Sequence, residues 1–197
     1  MSSEVRLTPD DILVRPQETP NPMAIKFITN RPLKEQGKAT LNAPEELPES
    51  LLVKDLFSVV GVKQIHLFQN TITVTHDGTL TSDDLVEQVV SVLKTRMPIH
   101  NAHFSFGEDE NLRSSPDRSK MSKEQREIEE ILDRTIRPGL QADGGDIEII
   151  SFENNELRIL YQGACGGCPS SMMGTLDAIQ NILRHELGND ELMVYPI

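Results

Sequence analysis

The sequence contains no tryptophan, and only two tyrosines and six phenylalanines among its 197 residues. Neither an aromatic-lined ligand pocket nor a base-stacking platform is expected from so few rings. Basic charge is short as well. Lys and Arg number 19 against 31 Asp and Glu, a net charge of -12, which excludes a protein that neutralises phosphates; no nucleic acid partner is expected. No run approaches the roughly 20 apolar residues that span a bilayer, so no membrane partner is expected either. The start, Met1-Ser2-Ser3-Glu4-Val5-Arg6-Leu7-Thr8-Pro9-Asp10-Asp11, lacks an apolar run behind a basic segment and is no secretory signal; the expectation is a cytoplasmic protein. Walker A, GxGxxG and nucleophile-elbow patterns are missing, which argues against a nucleotide-using or hydrolytic enzyme. Cysteine is nearly absent. Only Cys165 and Cys168 occur, the opposite of a disulfide scaffold, and such a pair is available for metal or redox work.

What is present reads as two small α+β domains. Residues 1–19 are polar, carry Pro9 and Pro16, and are expected to be a loosely held extension. Residues 20–106 read as ββαββα: a strand over Met23–Thr29, a second near Lys38–Leu41, and a helix from Pro48 to Val60 that Gly61 would cap. A hairpin about Gln69-Asn70 and a helix from Ser82 or Asp83 to Met97 complete that half. Residues 107–120 hold a single large apolar residue and are expected to be a flexible linker. Residues 121–197 read as αββαβ. A helix runs from Ser122 until Pro138-Gly139 stops it, followed by a hairpin through Asn154-Asn155. The glycine-rich cysteine loop, a helix from about Ser170 to Leu187 and a closing strand over Leu192–Tyr195 come next.

The informative segment is Gln162-Gly163-Ala164-Cys165-Gly166-Gly167-Cys168-Pro169-Ser170-Ser171. Two thiols at this spacing on a turn reach one metal centre, and thiolates are soft ligands suited to Fe–S clusters, zinc or Cu(I). Pro169-Ser170 signals a helix start, whose N-terminal end favours the thiolate. Stable Fe–S and structural zinc sites usually have four protein ligands, and this chain has two cysteines. His66, His76, His100 and His103 lie in the first domain and His185 falls late on the last helix, so none offers an obvious completion. Either an exogenous thiol fills the gap or two chains each contribute a pair, and a site bridged across a two-fold axis is the economical solution. No charged residue occurs from Ile159 to Leu176, although residues 121–197 carry 6 Lys and Arg against 14 Asp and Glu. Nearby carboxylates would repel an anionic cluster. Asp143-Gly144-Gly145-Asp146 is expected to be a turn feeding the hairpin, Met172 and Met173 to be partly core, and Glu108-Asp109-Glu110 a solvated run.

Ile136-Arg137-Pro138-Gly139-Leu140-Gln141-Ala142-Asp143-Gly144-Gly145-Asp146, followed by Gly163-Ala164-Cys165-Gly166-Gly167-Cys168-Pro169-Ser170-Ser171, resembles the C-terminal domain of NifU-like (Nfu-type) iron–sulfur scaffold proteins. Thr19-Pro20-Asn21-Pro22 before Lys26-Phe27, with Leu56-Phe57 through Gly61-Val62 to Ile72-Thr73-Val74-Thr75, is similar to the Nfu N-terminal domain. The resemblance implies a non-catalytic carrier of a labile [4Fe–4S] cluster held between two subunits, with Cys165 and Cys168 as its metal ligands. It also implies apo iron–sulfur clients and the cluster assembly machinery as partners. The spacing alone leaves two other readings open: a thiol–disulfide oxidoreductase cycling Cys165 and Cys168, and a zinc-binding interaction module. Against the first, a hairpin precedes the helix where a thioredoxin-like βαβ unit is expected.

Overall fold

Alternation decides the first sheet. Ile25 and Phe27 fall on one side of their strand and Lys26 on the other; Ile72 and Val74 oppose Thr71, Thr73 and Thr75; Ile65 and Leu67 oppose Gln64 and His66. The computed structural model describes residues 7–105, 118, 121–166 and 169–197, with the side chains of 169–173 left out. In it these runs are β2 (Ala24–Thr29), β4 (Val62–Gln69) and β5 (Thr71–His76), joined by β1 (Val14–Glu18) and β3 (Lys34–Leu41). The strand order is β1-β2-β5-β4-β3, antiparallel throughout. The apolar face packs Phe27, Leu67, Ile72 and Val74 against α1 (Leu51–Phe57) and α2 (Ser82–Arg96), which supply Leu52, Leu56, Leu85, Val89 and Leu93. Ser50 and Thr81 cap these helices by accepting from the amides of Val53 and Asp84.

Three expectations shift here. Residues 14–18, expected within a loose extension, form the edge strand β1, where Pro16 is tolerated because its side of the ladder needs no donor. Strand β3 starts at Lys34 rather than Lys38, and the added β1 makes the order βββαββα. Helix α1 ends at Phe57, and Gly61 (φ +86°) stands beyond it in the turn into β4.

The second domain is built from α3 (Lys123–Thr135), α4 (Arg137–Ala142), β6 (Gly145–Glu153), β7 (Glu156–Gly163), α5 (Pro169–Leu187) and β8 (Met193–Pro196). Ser122 and Gln125 close a capping box on α3. Pro138 does not simply stop this helix. It sits in the first turn of a new one, α4, where its missing N–H leaves nothing unpaired. Strands β6 and β7 form the expected hairpin, with Asn154 and Asn155 both at positive φ, the geometry of a tight two-residue turn. Strand β8 returns through α5 to lie parallel to β7. Ile128, Leu132, Ile147, Ile159, Ile179 and Leu183 form the core, separate from that of the first domain. The fold is α+β in two domains. The expected linker lies outside the described residues apart from Arg118. Among the described residues no helix is long and apolar enough to cross a membrane.

Candidate metal centre

Strand β7 delivers the chain at Gly163 into the turn 164–166, which carries Cys165 toward the start of α5. Gly163 pairs with Gly145, the first residue of β6. That pairing places the thiol. A Cβ built on Gly145 would stand 2.2 Å from Cys165 Sγ and 3.0 Å from its Cβ. Only glycine leaves the sulfur its berth, and Cys165 is 7% exposed there. Gly145→Ala is therefore expected to displace the cysteine turn and destabilise the domain by about 1–3 kcal/mol, the usual penalty of an overpacked core. Urea unfolding checks it; an unchanged midpoint contradicts the berth. Gly167 and Cys168, the second expected ligand, lie outside the described residues, as do the side chains of Met172 and Met173. Helix α5 begins one residue after Cys168.

Beside Cys165 is a cavity of about 250 Å³ lined by Leu140, Asp143, Ala164, Gly174, Thr175 and, from the first domain, Pro20. The run without charge from Ile159 to Leu176 does not keep carboxylates away in space, because Asp143 reaches the same cavity from the preceding turn. Burial, and second the charge of Cys165, push the Tyr161 hydroxyl up to about 12. Among the described residues no cluster of three or more His, Cys, Asp or Glu is arranged to hold a metal ion. The β6–β7 hairpin precedes α5 as expected, and β7, α5 and the parallel β8 also form a βαβ unit, with the cysteine loop between β7 and α5.

The Asp143–Asp146 segment does more than turn. Asp146 is buried and pairs with Lys38 of β3 at 3.3 Å and with Arg137 Nε at 3.3 Å. Burial raises the Asp146 carboxyl, but Lys38 and Arg137 outweigh it and hold it below the usual carboxylate range. Two positions on, Glu148 is pushed up to about 7 by burial while accepting from Gln162 Nε2 at 2.7 Å. Across the same contact His66 is pushed down to about 4 by burial, its Nδ1 2.9 Å from the Thr40 hydroxyl. Sequence reasoning missed Lys38, His66, Asp146 and Glu148. Each sits on the outer face of its strand, and alternation signals a polar face without saying that another domain covers it.

Two family models match the chain: the NifU-like domain over residues 128–193 and the N-terminal domain of the scaffold protein Nfu/NifU over residues 14–99. The human protein named NFU1 iron-sulfur cluster scaffold homolog, mitochondrial, is 31% identical over 88% of this chain and 67% of its own length. The chain belongs to the Nfu-type iron–sulfur scaffold family. Arabidopsis thaliana NifU-like proteins 5 and 4, also named mitochondrial, are each 30% identical over 88% of this chain, covering 64% and 62% of their own lengths. The chain thus spans about two thirds of these curated relatives. A solution structure of a NifU-like protein from Saccharomyces cerevisiae aligns over 48% of this chain and 82% of that one, at 19% identity and a TM-score of 0.40. The mitochondrial names overturn the cytoplasmic expectation. Organelle import segments are amphipathic rather than apolar, so the lack of an apolar run says nothing about the organelle.

Proposed function

We propose that this Nfu-type scaffold carries a [4Fe–4S] cluster as cargo, held between two copies of the chain by Cys165 and Cys168 of each, and passes it to apo iron–sulfur proteins without catalysing a reaction of its own. Residues 121–197 carry the cluster. Residues 20–106, through the linker 107–120, bring the scaffold to the assembly machinery and its clients by raising effective concentration. The observation that carries this reading is the placement of Cys165 in a glycine-built turn at the head of α5, beside a cavity, in a chain with only two cysteines. A site needing four thiolates then takes two chains.

Anaerobic reconstitution with iron and sulfide tests it. A brown protein with about four irons per dimer is expected, and none after Cys165→Ser or Cys168→Ser. Colourless wild-type protein, or cluster retained in either variant, overturns the reading. The parallel β7–α5–β8 unit favours one second reading, thiol–disulfide exchange. That reading requires turnover of a dithiol substrate by the monomer, unaffected by iron chelators.

A further inference from the structure

The polar outer face of the first domain's sheet is laid against the segments that hold Cys165. Thr73 of β5 donates its hydroxyl to the carbonyl of Gly144 at 2.6 Å. Gln64 of β4 accepts from the amide of Gly163 at 3.2 Å. Asn21, in the turn before β2, donates its amide to the carbonyl of Gly166 at 3.1 Å. Lys26 donates to the carbonyl of Ala142 at the end of α4, and Lys38 donates to that of Ile147 at 3.0 Å beside its ion pair with Asp146. The cysteine turn is therefore gripped on both sides of Cys165, at Gly163 and at Gly166, and Pro20 closes one wall of the cavity next to the thiol. Gly144 belongs to the same fit. It has φ +83°, and a Cβ there would stand 2.7 Å from Thr73 Oγ1 and 3.0 Å from Lys26 Cδ.

Two features show a contact made to come apart. The apolar cores do not merge across it, and both facing surfaces are polar, so each domain keeps its own core and a hydratable face when they separate. Several polar atoms along the contact are also left short. His66 Nε2, Thr75 Oγ1 and Gln162 Oε1 are buried with no hydrogen-bond partner among the described residues. Water satisfies all three once the domains part, which offsets much of what the docked hydrogen bonds contribute.

We propose that the first domain is a detachable cover for the cysteine loop, and that a docked chain and a cluster-bridged pair of chains exclude one another. The Thr19-Pro20-Asn21-Pro22 turn is the part of the cover that meets the loop: Thr19 Oγ1 braces it by sharing its one proton between the carbonyls of Asn21 and Ala24, each at 2.9 Å. It occupies the wall of the cavity at Cys165 that a bridging cluster and a second copy need. The exclusion rests on the two-copy reading given above; the cover itself does not.

The test uses the cluster-free full chain and reads alkylation of Cys165 by iodoacetamide, resolved by mass spectrometry, with small-angle scattering alongside. Thr73→Arg puts a long cation where Gly144 stands, while leaving a side chain that water accepts on an undocked sheet. Cys165 is expected to react about tenfold faster or more in this variant, with a larger radius of gyration. An unchanged rate in a folded variant overturns the cover. Should Thr73→Arg lose its far-ultraviolet signature, Lys38→Met carries the test, with an expected acceleration of about threefold. Iron loading of the same variant is read separately. Faster alkylation without any iron binding sinks the scaffold reading alone, and full iron binding with unchanged alkylation sinks the cover alone.

Discussion

Arg137→Ala is expected to destabilise the second domain by about 3–5 kcal/mol, the range for removing one partner of a buried ion pair. Its guanidinium, 7% exposed, reaches both carboxylate oxygens of Glu129, with the Nη2 contact at 3.0 Å. It also meets Asp133, Asp146 at 3.3 Å and the carbonyl of Ile147 at 3.3 Å. Glu129 is 1% exposed. Without Arg137 it keeps only Arg118, at 3.2 Å and itself half-exposed, among the described residues. Asp146 suffers less because Lys38 remains beside it. Urea unfolding of the variant measures the loss. Pairing Arg137→Met with Glu129→Gln is expected to recover a large part of it, since the damage is the stranded charge rather than the absent contact. A loss under about 1 kcal/mol, the scale of a surface pair, contradicts the network. Arg137→Lys is expected to lie near the alanine variant, because an ammonium cannot serve three carboxylates and a carbonyl as a planar fork does.

How much of this was legible in the sequence divides along a physical line. Periodicity reports which residues share a face, and it located β2, β5, α2, the β6–β7 hairpin and α5, because each buries its apolar side within its own domain. It failed at β1, whose Val-Arg-Pro-Gln-Glu is polar and holds a proline; its place comes from pairing with β2, a tertiary fact. It read Pro138 as a stop because a proline ends one helix and begins another with the same letter. The cysteine turn was legible because C-x-x-C among glycines is local chemistry. The cover over it was not. Lys26, Lys38, His66 and Thr73 look like an ordinary solvated face until a second domain is set against them, and the glycine that admits Lys26 and Thr73, Gly144, is more than seventy positions away from each. Thr19-Pro20-Asn21-Pro22 was singled out as a motif, and only its contact with Gly166 says what such a turn touches.

The pH dependence of stability is expected to be shallow in the wild type, and Glu148→Gln to steepen it. Glu148 is raised from an ordinary 4.5 to about 7. A raised acid favours the folded state below its unfolded value, and that advantage is lost as pH climbs from 4.5 through 7. His66 is lowered from 6.5 to about 4. Its contribution is whole above 6.5 and is lost as pH falls toward 4. Burial lowers His76 and His100 as well, with the same sign as His66. Between about pH 4.5 and 6.5 the Glu148 and His66 slopes oppose each other, each near 1.4 kcal/mol per pH unit when a full proton is exchanged. Asp146, which faces them, is held below its ordinary 3.8 and so titrates below that window, and Lys38 beside it is lowered by burial. Subtracting wild type from Glu148→Gln cancels the histidines and leaves the carboxyl alone. The difference is expected near zero at pH 4 and to grow to about 1–2 kcal/mol in favour of the variant by pH 8, after allowance for partial solvation of the group. The side-chain carbonyl that Glu148→Gln introduces can still accept from Gln162, so the hydrogen bond survives the change. Urea midpoints at four pH values between 4 and 8 decide it. A difference that stays flat across them means that Glu148 titrates as a solvated carboxylate, and that the face it shares with Lys38 is open to water rather than covered.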